Sequence, residues 1–207
     1  MKIIKSEYTI LTYLNGENIL KSIESIGRVC YKSEDRIFDD SAVKFVANIL
    51  KRGHESVIEH FSVSVRFICD RGVSHELIRH RLCSFSQESS RYCNYSQEKF
   101  GKELTFIKPL FWEGSSKEYL IWLETMKKCE EAYISLLENG AKPEEARDVL
   151  PNSLKTEIIV TANLREWRHL LSLRTSPQSH PQMRELTIPL LNEFKEKIPV
   201  VFDDILY

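Results

Sequence analysis

Residues 79–92 read RHRLCSFSQESSRY. Three basic side chains, Arg79, His80 and Arg81, are contiguous. Four hydroxyls follow at Ser84, Ser86, Ser89 and Ser90, and the run closes on Arg91 and Tyr92. Leu82 and Phe85 are too few to make an apolar stripe, so the segment does not read as core. It contains arginine and no lysine. Lysine is the ordinary solubilising cation, whereas the guanidinium fork matches phosphate and planar oxygens. Two readings stand side by side: a solvated polar loop, or a site for an anion or nucleotide phosphate.

The flanks supply a scaffold. Just upstream, residues 61–69 (FSVSVRFIC) alternate with period two, placing Phe61, Val63, Val65, Phe67 and Cys69 on one face. That predicts a half-buried strand ended by Asp70-Arg71-Gly72. Residues 3–14 predict a strand or two before the Asn15-Gly16 turn, and a short helix from about Glu17 to Val29. Val43, Val46, Ile49 and Leu50 predict a helix capped near Asp39, Asp40 or Ser41 and stopped at Gly53. The longest helix is expected over 116–138, with Ser115 and Glu118 as a capping box and Gly140 as its stop. Its stripe would be Tyr119, Leu120, Leu123, Met126, Tyr133, Leu136 and Leu137. A short helix begins at Pro143 and ends before Pro151. Residues 156–162 fit a strand or a continued helix. Residues 165–174 and 181–196 read as helices, with Pro189 expected to kink or restart the latter. The expectation is one α+β domain spanning 1–207.

Two further clusters carry chemistry. Arg165, Arg168 and His169 share one helical face, and Arg174, nine residues past Arg165, falls on the opposite one. Their bland reading is an exposed basic face over a buried Trp167. His54-Glu55-Ser56 with Glu59-His60 reads plainly as a polar connector. Metal chemistry finds little footing. His75-Glu76 opens like HExxH, but Arg79 holds the second ligand position and His80 points about 140° away from His75. No metal is expected. No GxSxG elbow surrounds Ser89, and neither a GxGxxG nor a Walker loop exists.

Composition narrows the class. The chain has 207 residues, 42% hydrophobic and 29% charged, at a net charge of −1, which argues against disorder and against general nucleic-acid binding. No apolar run reaches the ~18 residues of a membrane span. Five cysteines, Cys30, Cys69, Cys83, Cys93 and Cys129, include no CxxC pair. With no signal-peptide pattern at the start, they point to free thiols in the cytoplasm.

Arg79-His80-Arg81, seven residues, Ser89, then Arg91-Tyr92 resembles the signature of the flavin-dependent thymidylate synthases. Arg28-Val29, His54-Glu55-Ser56, Glu145-Ala146-Arg147 with Leu150-Pro151, Asn163 with Arg165, and Leu173-Arg174 follow in that family's order. The resemblance implies a twisted, mainly antiparallel sheet packed with helices, assembled as a homotetramer with sites shared between subunits. It implies dUMP converted to dTMP, methylenetetrahydrofolate as one-carbon donor, and NADPH as reductant through FAD.

By position, Arg79, His80, Arg81, Ser56, Gln87, Asn163, Arg165 and His169 would hold FAD. Glu76, Arg79, Gln87, Ser89, Arg91, Arg147 and Arg174 would hold dUMP. Arg174 and Ser89 would serve catalysis, Arg174 by favouring the ionised uracil. Glu76 lies where some members carry Gln, Gln87 where some carry Glu, and His169 where others carry Asn. Cys30 stands where a small hydroxyl residue touches the flavin. No cysteine attack is implied, so Cys83 and Cys93 should be dispensable. The rival reading is a non-catalytic nucleotide- or RNA-binding module built on residues 79–92.

Overall fold

Strand β3 (Ser62–Asp70) follows the alternation of its sequence: Val63, Val65, Phe67 and Cys69 are completely buried. The computed structural model describes residues 1–98 and 101–207. These divide into two compact units made of interleaved segments. One holds Met1–Glu7, Phe67–Arg79 and Phe85–Ile159; the other holds Tyr8–Arg66, His80–Ser84 and Val160–Tyr207.

Strands β2 (Glu7–Ile10), β3 and β6 (Lys155–Asn163) are neighbours in that order, and the second unit holds Tyr8–Ile10, Ser62–Arg66 and Val160–Asn163 of them. Leu164 N–H donates to Phe61 O at 3.0 Å, and the Ser64 and Thr161 hydroxyls meet at 2.8 Å. Numbers rise in one strand as they fall in the other, so β3 and β6 run antiparallel. The 156–162 stretch is therefore strand, as its Ile, Val and Thr content favours. Helix α1 (Gly16–Val29) packs on α2 (Ser41–Lys51) through Gly27. Val43, placed in the α2 stripe by spacing, is 48% exposed; Ala42, Val46 and Ile49 form the buried side.

Helices α6 (Leu164–Arg174) and α7 (Pro181–Lys197) complete this unit. Trp167 is wholly buried, edge-on to Phe194 at 5.5 Å, and its indole N–H donates to Val63 O. Of the two outcomes expected at Pro189, a kink or a restart, the restart does not occur: α7 runs through it unbroken. Pro189 stands on the exposed side, while Leu186, Leu190 and Phe194 hold the helix from the buried side.

The first unit carries β1 (Lys2–Ile4) paired with β5 (Thr105–Ile107) in register Lys2↔Thr105. That short ladder is parallel, within a fold expected to be mainly antiparallel. Here β4 (Ser84–Gln87) follows β6 in the order β3-β6-β4. A strand thus sits inside the segment that showed no periodicity. Helix α3 (Arg71–Leu77) was not expected either: Asp70 ends β3 and then caps α3, accepting from Val73 N–H at 2.8 Å.

Helix α4 (Lys117–Glu138) is capped by Ser116 rather than Ser115, and Gly140 follows it at φ +90°. Its buried residues are Trp122, Met126 and Tyr133; Leu120 and Leu136 face solvent. Trp122 won its place because its N–H reaches Ser153 Oγ at 3.0 Å. Short α5 (Pro143–Ala146) runs into a 3₁₀ turn, Arg147–Val149. No helix among the described residues is long and apolar enough to cross a membrane.

Candidate active site

In the second unit a chain of polar groups is buried beside α6. Asn163 caps that helix, its Oδ1 accepting from Glu166 N–H at 2.9 Å. Glu166 therefore sits in the first turn, where the helix start favours a carboxylate. Its Oε1 lies 3.5 Å from His80 Nδ1, and Cys83 Sγ–H donates to the same oxygen at 3.9 Å. On the ring's other side Arg174 Nε–H donates to His80 Nε2 at 3.0 Å. The Arg174 carbonyl is pinned by the Thr187 hydroxyl at 2.9 Å.

Desolvation lowers the His80 pKa to about 4, helped by the positive Arg174 and by His169. Burial and Glu166 push the Cys83 thiol up to about 12. His169 is exposed, its ring edge-on to His80 at 5.7 Å.

His80, Glu166 and His169 bring ligand-type atoms within 4.8 Å of one another. A divalent cation there would displace the His80 Nδ1 proton and meet a guanidinium already bonded to the same ring. The arrangement reads as a chain of polar contacts: Arg174 to His80 and Cys83 to Glu166 are hydrogen bonds, and Glu166 faces the His80 ring at 3.5 Å. With both nitrogens facing partners inside the unit, His80 differs from Arg79 and Arg81, whose side chains are exposed.

The other flavin-directed positions of this unit lie at its surface. Ser56 is exposed in the 3₁₀ turn Glu55–His60. Arg165 is exposed and pairs with Glu59 at 2.6 Å and Glu55 at 3.7 Å. Arg168 takes a structural post: it is bidentate to Asp204 at 2.6 and 2.8 Å and also reaches Glu55 and Val201 O. Cys30 is exposed at the end of α1.

In the first unit a depression of about 240 Å³ is lined by Arg71, His75, Ser90, Arg147 and Asn152 among others. Two guanidiniums, an imidazole and a hydroxyl outnumber the one carboxylate, Asp148, in its lining, which leaves it compatible with an anion. Arg147 is the one residue assigned from sequence that lines it. Glu76 is half-buried on α3. Gln87 is held inward, its Nε2 donating to Ser74 Oγ at 3.0 Å and Thr156 Oγ1 at 3.2 Å. Ser89 organises a turn: its carbonyl accepts from Tyr92 and Cys93, and its hydroxyl from Arg91 N–H. The Arg91 guanidinium lies over the Tyr92 ring at 5.1 Å.

Sequence reasoning missed Glu166, Arg71, His75 and Asn152. Asn163 and Glu166 have the spacing of a capping box, which would have flagged the helix start but not the carboxylate's turn toward His80. Arg71 carries no local signal and His75 only the start of a metal motif; they meet Arg147 only through the fold.

The thymidylate synthase complementing protein family matches residues 9–200. The chain belongs to that family. Among its relatives, a flavin-dependent thymidylate synthase of Geobacter sulfurreducens is 33% identical over 185 residues, covering 86% of this chain and 78% of the relative. One from Pyrococcus furiosus is 34% identical over 168 residues, covering 80% and 68%. Among solved structures, the UMP/dUMP methylase PolB from Streptomyces cacaoi, bound with 5-Br dUMP, superposes with a TM-score of 0.78 at 22% identity. The superposition covers 98% of this chain and 96% of that one, so the two share a fold. Every site residue read from the sequence, from Ser56 to Arg174, lies inside the matched span.

Proposed function

We propose that this chain is a flavin-dependent thymidylate synthase. It converts dUMP and methylenetetrahydrofolate to dTMP and tetrahydrofolate, with NADPH as the reductant and FAD as the working cofactor. The observation that carries this reading is the family match over residues 9–200, together with relatives of that name 33% and 34% identical over 185 and 168 residues.

The donor set suits a dinucleotide flavin. Exposed Arg79, Arg81, Arg165 and His169, with Ser56 and Asn163, offer charged and neutral donors for a pyrophosphate and ring carbonyls. Bound there, FAD supplies hydride chemistry that no side chain can. The protein's own residues do the rest. Arg147, Arg91 and Ser89 take the nucleotide's phosphate end, and Gln87 and Glu76 its polar edges. Arg174 lies against the uracil and stabilises negative charge there, its guanidinium oriented through Nε by a neutral His80. No protein thiol is used, which agrees with a Cys83 thiol held protonated by burial. We treat 1–207 as one functional domain, assembled as a homotetramer.

The first test is the visible spectrum of the purified protein, then NADPH addition with and without dUMP. A yellow protein whose flavin bands bleach faster with dUMP supports the reading. A colourless protein that takes up no FAD would sink it. Arg174→Ala should keep its flavin yet lose most dTMP formation; near-normal turnover would remove Arg174 from the mechanism. The binding-module alternative requires salt-sensitive nucleic-acid affinity without flavin, and nothing in the family match favours it.

A further inference from the structure

We infer that Glu166 is a positioning residue for this reaction: through His80 it fixes the orientation of the Arg174 guanidinium. The role of Arg174 rests on the synthase reading; the relay itself does not.

The argument starts at Arg174. A guanidinium stays protonated in proteins, so its Nε is always a donor. His80 Nε2 receives that donor at 3.0 Å and must present a lone pair. A neutral imidazole then carries its proton on Nδ1, and only one tautomer fits. The less common requirement is an acceptor for that Nδ1–H inside the protein. Glu166 Oε1 faces it at 3.5 Å, and the two side chains are only 3% and 6% exposed. Water has little access, so the carboxylate is the group placed to favour the proton on that nitrogen, in step with the Arg174 donor on the other.

Glu166 is set in place by more than this contact. Asn163 bonds its backbone N–H at the start of α6, and the Cys83 S–H points at the same Oε1. Arg174 closes α6 at the other end, its carbonyl tied to Thr187. One helix therefore holds both ends of the relay, and His80, from a separate segment, bridges them.

The intermediary has a chemical consequence. The His80 imidazole, neutral in this tautomer, gives the guanidinium an acceptor without adding a charge beside it. Loss of the Nδ1 acceptor lets the proton move to Nε2. Two donors, Nε2–H and Arg174 Nε–H, would then face each other, and the guanidinium would turn away.

The test uses the flavin-loaded full chain with ¹⁵N-labelled histidine. In wild type the His80 ring shifts should report the Nδ1–H tautomer. Glu166→Ala should move them toward Nε2–H and lower kcat for dTMP by about 10- to 100-fold, the size expected for a misplaced catalytic group. Its flavin content should hold, and its KM for dUMP should change far less than kcat. Glu166→Gln keeps a carbonyl acceptor, so it should restore the tautomer and most of kcat. Should Glu166→Ala fail to fold, the Gln variant and Glu166→Asp, which pulls the acceptor back by one carbon, carry the comparison; Asp should be the slower of the two.

Unchanged ring shifts in Glu166→Ala or Glu166→Asp would overturn the relay. Changed shifts with unchanged kcat would overturn its part in the reaction. A wild type that makes no dTMP would fail the synthase reading instead, while the tautomer result still judges the relay.

Discussion

A thiol packed against a carboxylate is a poor nucleophile, and Cys83 is one. Desolvation first, then Glu166, raises its pKa to about 12, so the thiolate is scarce at neutral pH. Cys83→Ala should keep dTMP formation within about threefold, because the chain from Glu166 to Arg174 does not pass through the sulfur. Loss of turnover in a folded Cys83 variant would reopen a covalent route. His80 makes a second residue-scale prediction. Its folded pKa of about 4 lies below the ordinary 6.5, chiefly through desolvation. Between those values the unfolded chain binds the proton and the folded one does not. Stability is therefore fully present above pH 6.5 and is lost as pH falls toward 4, by an amount on the order of 3 kcal/mol. Urea midpoints at pH 7 and pH 4.5 should separate more for wild type than for His80→Gln. Equal separations would place the titration elsewhere.

At the scale of elements, the close approach of α1 to α2 depends on a missing side chain. A Cβ on Gly27 would stand 2.7 Å from the Phe45 ring and 3.1 Å from Val57 Cγ1. Phe45 has little room to retreat, since the Arg28 guanidinium covers it at 4.7 Å. Alanine would gain ~1 kcal/mol of helix propensity but cost about 1–3 kcal/mol in overpacking. The steric term wins, so Gly27→Ala should lower the unfolding free energy read from urea titration by up to about 2 kcal/mol; a stabilised variant would mean that the two helices separate freely. The helix was legible from its periodicity, and Asn15, Asn163 and Ser116 all cap as their residue types favour. The α2 and α4 stripes were only partly legible. Spacing nominates Leu120, Leu136 and Val43, but packing chose Trp122 and Ala42. A helix has more apolar positions than its neighbours cover, and coverage is decided by tertiary contact.

For the whole molecule, the proposed assembly is the open prediction. Tyr31, Phe38, Leu82, Tyr92 and Ile121 are each more than half exposed, a heavy apolar load for a surface with net charge −1. Light scattering should give four times 24.2 kDa in dilute solution. A mass of 24.2 kDa with flavin still bound would confine the site to one chain.

What the sequence determined by itself was local or periodic. The alternation of 61–69 sets a buried strand, the arginine-serine run of 79–92 lacks an apolar stripe, and its spacing from Arg81 to Ser89 carries the family resemblance; that His80, Cys83 and Ser90 of that run are nonetheless buried was decided by the fold. Tertiary structure decided the partners. His80 and Arg174 stand 94 residues apart, and Arg71 and Arg147 come from separate helical segments to one hollow. No periodicity links such positions. A hydrogen bond across them costs no local signal and leaves none, because it forms only after β3 and β6 have aligned the segments that bear its two ends.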